Sequence, residues 1–303
     1  MLLHEDDDGV VCIGQASHAW VSGQLARRWG NDHFARPDPF DEVCLGAEQH
    51  DVGMAEWDLA PSLNPETGLP HSFIEMPMEA HAALWREAPK RLVTTSVYAA
   101  ALVSLHGTRL YELREPTPEV ASFLEMPLET HLRLWSAAPD KVLTQSPYAA
   151  LIVSMHGRAL YARRDTDEPG TDESRAVARF VAQQELYQQD LLANLGEDPA
   201  RARRNQTLIW ALDFLSLAPI LGWVPDTLVA PTFPGEPDAT LQVDAPDALS
   251  VTIDPWPFAE PELRIRYQGR RLTERFTREE DLHRALATAP WVTVTVTWRQ
   301  ATP

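Results

Sequence analysis

The sequence predicts a mainly α protein: a helical bundle over residues 1–224 with a small β-rich appendage over residues 225–303, α+β overall. Three observations predict it. Apolar residues recur at helical spacing through a series of runs before residue 220. One pair of these helices is duplicated at a constant offset of 50 residues. After Gly222-Trp223 prolines cluster and the apolar period changes to two.

Composition narrows the function. A chain of 303 residues has room for two domains, or for one domain and an appendage. The formal charge of −18, from 44 acidic and 26 basic residues, repels phosphate backbones and argues against a nucleic-acid partner. Two cysteines, Cys12 and Cys44, form no CxxC and suit a reducing compartment. Residues 1–8 turn acidic and carry no basic, apolar leader, and no run of 18 apolar residues exists. The expectation is a cytoplasmic protein without a membrane partner. GxSxG, P-loop and GxGxxG motifs are missing from suitable contexts.

Asp6-Asp7-Asp8-Gly9 between two short apolar runs predicts a hairpin over residues 2–13, with the C-terminal strands as its partner because a lone hairpin is unstable. Trp20, Leu25 and Trp29 predict a helix over 15–29, stopped by Gly30-Asn31, with His18 in its first turn. A first-turn histidine can be a ligand or a plain exposed or capping residue. Val43, Ala47, His50, Asp51, Met54 and Trp57 fall near one face of a helix over 41–57. Adjacent helical residues point about 100° apart, so the His50-Asp51 heads can converge. A buried carboxylate there needs a metal, or a neighbouring helix to cap.

The duplication follows a loop at 61–70. Phe73-Ile74-Glu75-Met76-Pro77 returns as Phe123-Leu124-Glu125-Met126-Pro127, His81 and Trp85 as His131 and Trp135, and Val103-Ser104-Leu105-His106-Gly107 as Val153-Ser154-Met155-His156-Gly157. Residues 73–114 and 123–164 thus encode one helix pair twice, with predicted helices over 77–88 and 96–106 in the first copy. Gly107 and Gly157 are expected to end the second helix of each copy. His106 and His156 can be ligands or residues favoured by a helix C-terminus. His81 and His131 sit mid-helix.

A polar linker precedes a long amphipathic helix over 174–194 and an apolar one over 200–218, ended by Pro219. Asp213 is the only acid in that last apolar run. It needs a metal, a salt bridge to Arg203 or Arg204, or a tryptophan N–H. Strands are predicted at 240–243, 249–253, 263–267 and 292–298, and a short helix at 279–287. Asp254-Pro255-Trp256-Pro257-Phe258 reads as an ordered turn.

Glu48-x-His50-Asp51-x-Gly53 with Trp57-Asp58, the Phe-x-Glu-Met-Pro and Val-Ser-x-His-Gly segments and the Asp254–Phe258 turn resemble an uncharacterised bacterial family, domain of unknown function 3891. The order His18, His50-Asp51, Asp213 also resembles the HD-domain metal-dependent phosphohydrolases. That second resemblance implies an HD-like bundle in which His18, His50, Asp51 and Asp213 hold a divalent metal (Mn, Fe, Co, Ni or Zn). One of His81, His106, His131 or His156 would be an added ligand and Asp51 a bridging, catalytic carboxylate. It implies a small phosphorylated substrate such as a nucleotide, with Arg27, Arg203 and Arg204 as the phosphate-binding residues. A di-iron HD-type oxygenase and a non-catalytic binding or scaffold protein are the alternatives. The spacing Glu79-x-His81 and Glu129-x-His131 does not fit a ferritin-like Glu-x-x-His centre.

Overall fold

The computed structural model describes residues 1–112, 172–221, 227–247 and 249–301. The second repeat copy, with His131 and His156, lies outside the described residues. Among those described, the helices are α1 (Gln15–Ala26), α2 (Phe40–Glu48), α3 (Ala55–Leu59), α4 (Met78–Glu87), α5 (Val97–Glu112), α6 (Asp172–Leu195), α7 (Pro199–Leu221) and α8 (Glu279–Thr288). The strands are β1 (Leu2–Asp6), β2 (Gly9–Ile13), the two-residue β3 (Leu63–Asn64) and β4 (Leu69–Pro70), β5 (Thr227–Ala230), β6 (Ala239–Asp247), β7 (Ser250–Asp254), β8 (Glu262–Leu272) and β9 (Trp291–Gln300).

The expected mainly α, HD-like bundle with a small appendage is overturned. The chain builds a large curled sheet of seven strands in the order β1-β2-β8-β9-β7-β6-β5. It is mixed: β7 and β9 run parallel, and the other neighbours are antiparallel. The N-terminal hairpin joins the C-terminal strands through β2 and β8, with Val10 opposite Leu272 and Ile13 opposite Gly269. This is the union expected for a hairpin too short to be stable alone, although the two halves of the sheet lie near opposite ends of the chain.

Alternation decides which face of the sheet is covered. On β8, Leu263, Ile265 and Tyr267 are buried while Arg264, Arg266 and Gln268 are exposed. Val294, Val296 and Trp298 continue the covered face on β9. They share one continuous core with Leu25 and Trp29 near α1 and with Ile209, Leu212 and Leu215 on α7. On the other face, Leu282 and Leu286 of α8 pack with Val10, Cys12 and Leu272. Asp254–Phe258 forms a turn whose carbonyls at Trp256 and Pro257 accept from Asn31 Nδ2 and the Gly30 N–H, tying the sheet to the end of α1.

Three helix expectations also change. The helix expected over 41–57 breaks after Glu48, and His50-Asp51 occupies a turn that leads into a 3-10 segment, Val52–Met54. At the break the His50 ring donates from Nδ1 to the Ala47 carbonyl at 2.8 Å, where an unbroken helix would place the Asp51 N–H. Gly107 does not end α5, which runs to Glu112. A Cβ there would stand 2.6 Å from the Trp85 ring, so glycine is needed for helix packing rather than for termination. Pro219 lies inside the last turn of α7. Among the described residues no helix is long and apolar enough to cross a membrane.

Candidate metal centre

Four elements converge on one buried point. The first turn of α1 brings His18, the turn after α2 brings His50 and Asp51, α5 brings His106 and α7 brings Asp213. All five are buried, His50 completely. α1 and α2 meet closely because Gly23 has no Cβ; one built there would lie 2.6 Å from Glu48 Cβ. The start of α1 is anchored by Asp58, which accepts the Gln15 N–H. This contact gives the Trp57-Asp58 motif a structural role.

The donor atoms face one another. His18 Nε2 lies 2.5 Å from Asp51 Oδ2. His50 Nε2 lies 3.3 Å from Asp213 Oδ1 and 3.8 Å from Asp51 Oδ2. His106 Nε2 lies 3.4 Å from Asp213 Oδ2, and His18 Nδ1 3.7 Å from Asp213 Oδ1. One ligand atom from each of His18, His50 and Asp213 falls within 4.8 Å of the others, a buried cluster that can hold a metal ion.

Two histidines are oriented by the groups behind them. His50 Nδ1–H is committed to the Ala47 carbonyl, so Nε2 is the ring atom turned inward toward Asp51 and Asp213, and a cation there would take the place of its proton. Ser216 Oγ donates to the Asp213 carbonyl at 2.7 Å and therefore accepts from His18 Nδ1 at 2.8 Å, which leaves His18 Nε2 facing Asp51. Ser22 Oγ also donates to Ser216 Oγ at 3.1 Å. A backbone carbonyl or hydroxyl behind a ligating imidazole fixes its tautomer and raises its basicity. A buried imidazole nitrogen turned toward two carboxylates fits a divalent cation.

The electrostatics agree. Burial disfavours the His50 imidazolium, but the Asp51 and Asp213 charges outweigh it and hold the ring up at about 9. Burial also opposes ionisation of the two carboxylates, yet His50 and His18 hold Asp51 below the usual carboxylate range, and His50 and His106 hold Asp213 well below it. Burial pushes His106 down, against the pull of Asp213.

The remaining sequence candidates lie elsewhere. His81 lines the same pocket, but its Nε2 accepts from Trp85 Nε1 at 3.0 Å. Arg27 pairs with Glu48. Arg204 donates to the carbonyls of Thr232 and Phe233. Arg203 lines a different cleft, between α5, α6 and α7. None of the three arginines lines the pocket at the cluster. That pocket is walled by Met54, Phe73, Met76, Trp85, Leu110 and Leu217, with about 20 Å³ open to the centre of a water molecule. This is room for an ion and about one water. Ser22, Ser216 and the Ala47 carbonyl escape sequence reasoning, because small helix residues and backbone atoms carry no pattern.

A family model described as a protein of unknown function (DUF3891) matches residues 1–126 and, in a second match, residues 113–274. The two matches overlap at 113–126, across the junction of the repeat copies. No curated protein and no solved structure matches the chain.

Proposed function

The chain belongs to the DUF3891 family, and we propose that this member is a metal-dependent hydrolase of a small phosphorylated substrate. The observation that carries the reading is His50 Nε2: fully buried, fixed from behind by Ala47 and aimed at two carboxylates, Asp213 at 3.3 Å and Asp51 at 3.8 Å. Nitrogen and carboxylate donors suit Mn, Fe, Co, Ni or Zn. His18, His50, Asp51 and Asp213 would hold the cation, with His106 as the added ligand from the first repeat copy. When bound, such a cation polarises a phosphoryl oxygen and lowers the pKa of its water to about 7.

The chain's own residues supply orientation and dryness. Asp51 and Asp213 stay ionised and so remain available as ligands at neutral pH. Met54, Phe73, Met76 and Trp85 exclude bulk water from the approach, which strengthens every charge interaction inside. No lysine or arginine among the described residues lines this pocket, so the cation itself must neutralise the phosphoryl group.

That same lining favours a second reading, a di-iron oxygenase. An apolar, aromatic wall without a cationic side chain suits dioxygen and an uncharged substrate. Elemental analysis of tag-free wild type and His50→Ala tests both. Near-stoichiometric metal, lost in the variant, with turnover of phosphomonoesters supports the hydrolase. Iron, with an absorption change on exposure to oxygen, supports the oxygenase. A folded wild type that takes up none of the five metals removes both.

A further inference from the structure

A second cleft, larger than the one at the histidines, opens away from them. It lies between α5, α6 and the start of α7, and measures about 760 Å³, within the roughly 300–1,000 Å³ of small-molecule sites. Its walls are polar. Arg109, Gln188, Gln189, Arg203, Gln206 and Thr207 line it, with Leu105 and Leu192 at its apolar edge.

Arg109 is built in rather than merely present. Its Nη1 donates to Gln206 Oε1 at 2.7 Å and to Thr207 Oγ1 at 3.2 Å. Its guanidinium carbon stands 5.1 Å from the centre of the Trp210 ring. Both oxygen partners are neutral, and no carboxylate of the described residues forms an ion pair with it. Arg203, exposed on the same wall, likewise has no ion pair among the described residues. Beside them Gln206 is 5 % exposed, and its Nε2 donor is buried with no hydrogen-bond acceptor. A held guanidinium without a counter-charge, a second arginine and an idle amide donor form an incomplete anion receptor. The chain carries a net charge of −18, so a local cationic pair of this kind needs its own explanation.

The geometry points to a binding site for a small organic anion, a carboxylate or phosphate compound with a hydrogen-bonding body, anchored by Arg109 and Arg203. Two carboxylates also line the cleft: Glu197 is neutralised by Arg201 at 2.6 Å, and Glu185 disfavours a ligand with charge spread over both ends. Arg109 selects the planar, two-oxygen end, and Gln189 faces the body. This site stands apart from the metal reading and does not depend on it. Trp210 lies between the two regions, its ring 5.3 Å from that of His106 and 5.1 Å from the Arg109 guanidinium carbon.

The test is calorimetric titration of the full chain, stripped of metal with a chelator, with inorganic phosphate in one arm and succinate in the other. One saturable site for at least one probe is expected, unchanged in His50→Ala and about tenfold weaker in Arg203→Ala. Arg109→Lys keeps the charge but loses the fork and the stacking, and is expected to weaken binding at least as much. The arm that binds tells phosphate from carboxylate. No saturation by either probe to roughly 10 mM, or equal affinity in folded Arg109→Lys and Arg203→Ala, overturns the proposal. Binding abolished by His50→Ala also overturns it, by placing the anion at the histidines.

Discussion

Two buried polar networks lie on α5, and they are built to opposite rules. In one, Gln188 Nε2 donates to Ser104 Oγ and Thr108 Oγ1, both at 3.1 Å, Ser104 Oγ donates to Gln184 Oε1 at 2.7 Å, and Thr108 Oγ1 donates to the Leu105 carbonyl at 3.1 Å. Every group is neutral and the network closes on itself, locking α5 to α6. In the other, His106 joins His18, His50, Asp51 and Asp213, and two carboxylates face three imidazoles. There His50 Nε2 and His106 Nδ1 lack hydrogen-bond partners. A fully satisfied buried network stabilises a fold, whereas a partly satisfied one costs stability unless something completes it. The contrast separates polar groups kept for architecture from polar groups kept for a ligand.

The sharpest way to break the contrast is to supply the ligand. A divalent metal at about a hundredfold over its dissociation constant should stabilise wild type by roughly 2.7 kcal/mol, read as a rise in thermal midpoint. His50→Ala and Asp213→Asn should lose that rise, and an equal rise in either would return the histidine cluster to architecture. Ser216→Ala should act next, since it frees the His18 ring. Metal affinity should drop about 10–100-fold with the circular dichroism unchanged, and affinity within twofold of wild type would remove Ser216 from the centre. Gln188→Leu should do the reverse. It should cost about 1–2 kcal/mol in denaturant unfolding and leave metal stoichiometry intact.

The sequence carried the residue types but not their arrangement. His18, the His50-Asp51 doublet and Asp213 stand out because acids and histidines are rare within apolar runs. Their approach to one another depends on Gly23, on the helix break after Glu48 and on the placement of α7, none of which has a period. The histidines of the duplication, His106 and His156, are indistinguishable in sequence, and only the fold sets His106 against Asp213. The strands of β8 and β9 were readable by alternation. That residues 2–13 would join them followed from the instability of a lone hairpin, but the size of the sheet and the register did not, because register between segments some 250 residues apart leaves no local trace. β5 was missed because prolines crowd its surroundings.

The subtlest difference between the two networks is in their response to pH. The amides and hydroxyls around Ser104 do not titrate, so Gln188→Leu should lower stability equally across the range. The histidine cluster does titrate. In the metal-free protein His50 is raised from 6.5 to about 9, so the folded state holds its proton more tightly than the unfolded chain. That contribution is complete below pH 6.5 and is lost as pH rises through about 9. A bound cation reverses the sign, because it requires the neutral ring and competes with the proton. Between pH 6.5 and 9 the metal-free midpoint should therefore lose the His50 contribution while metal affinity rises, with net proton release on binding near pH 7. Calorimetry in two buffers of different ionisation enthalpy measures that release. Zero release, together with a His50→Ala midpoint that follows the wild-type pH profile, would show that the proton on His50 and the ligand site are unconnected.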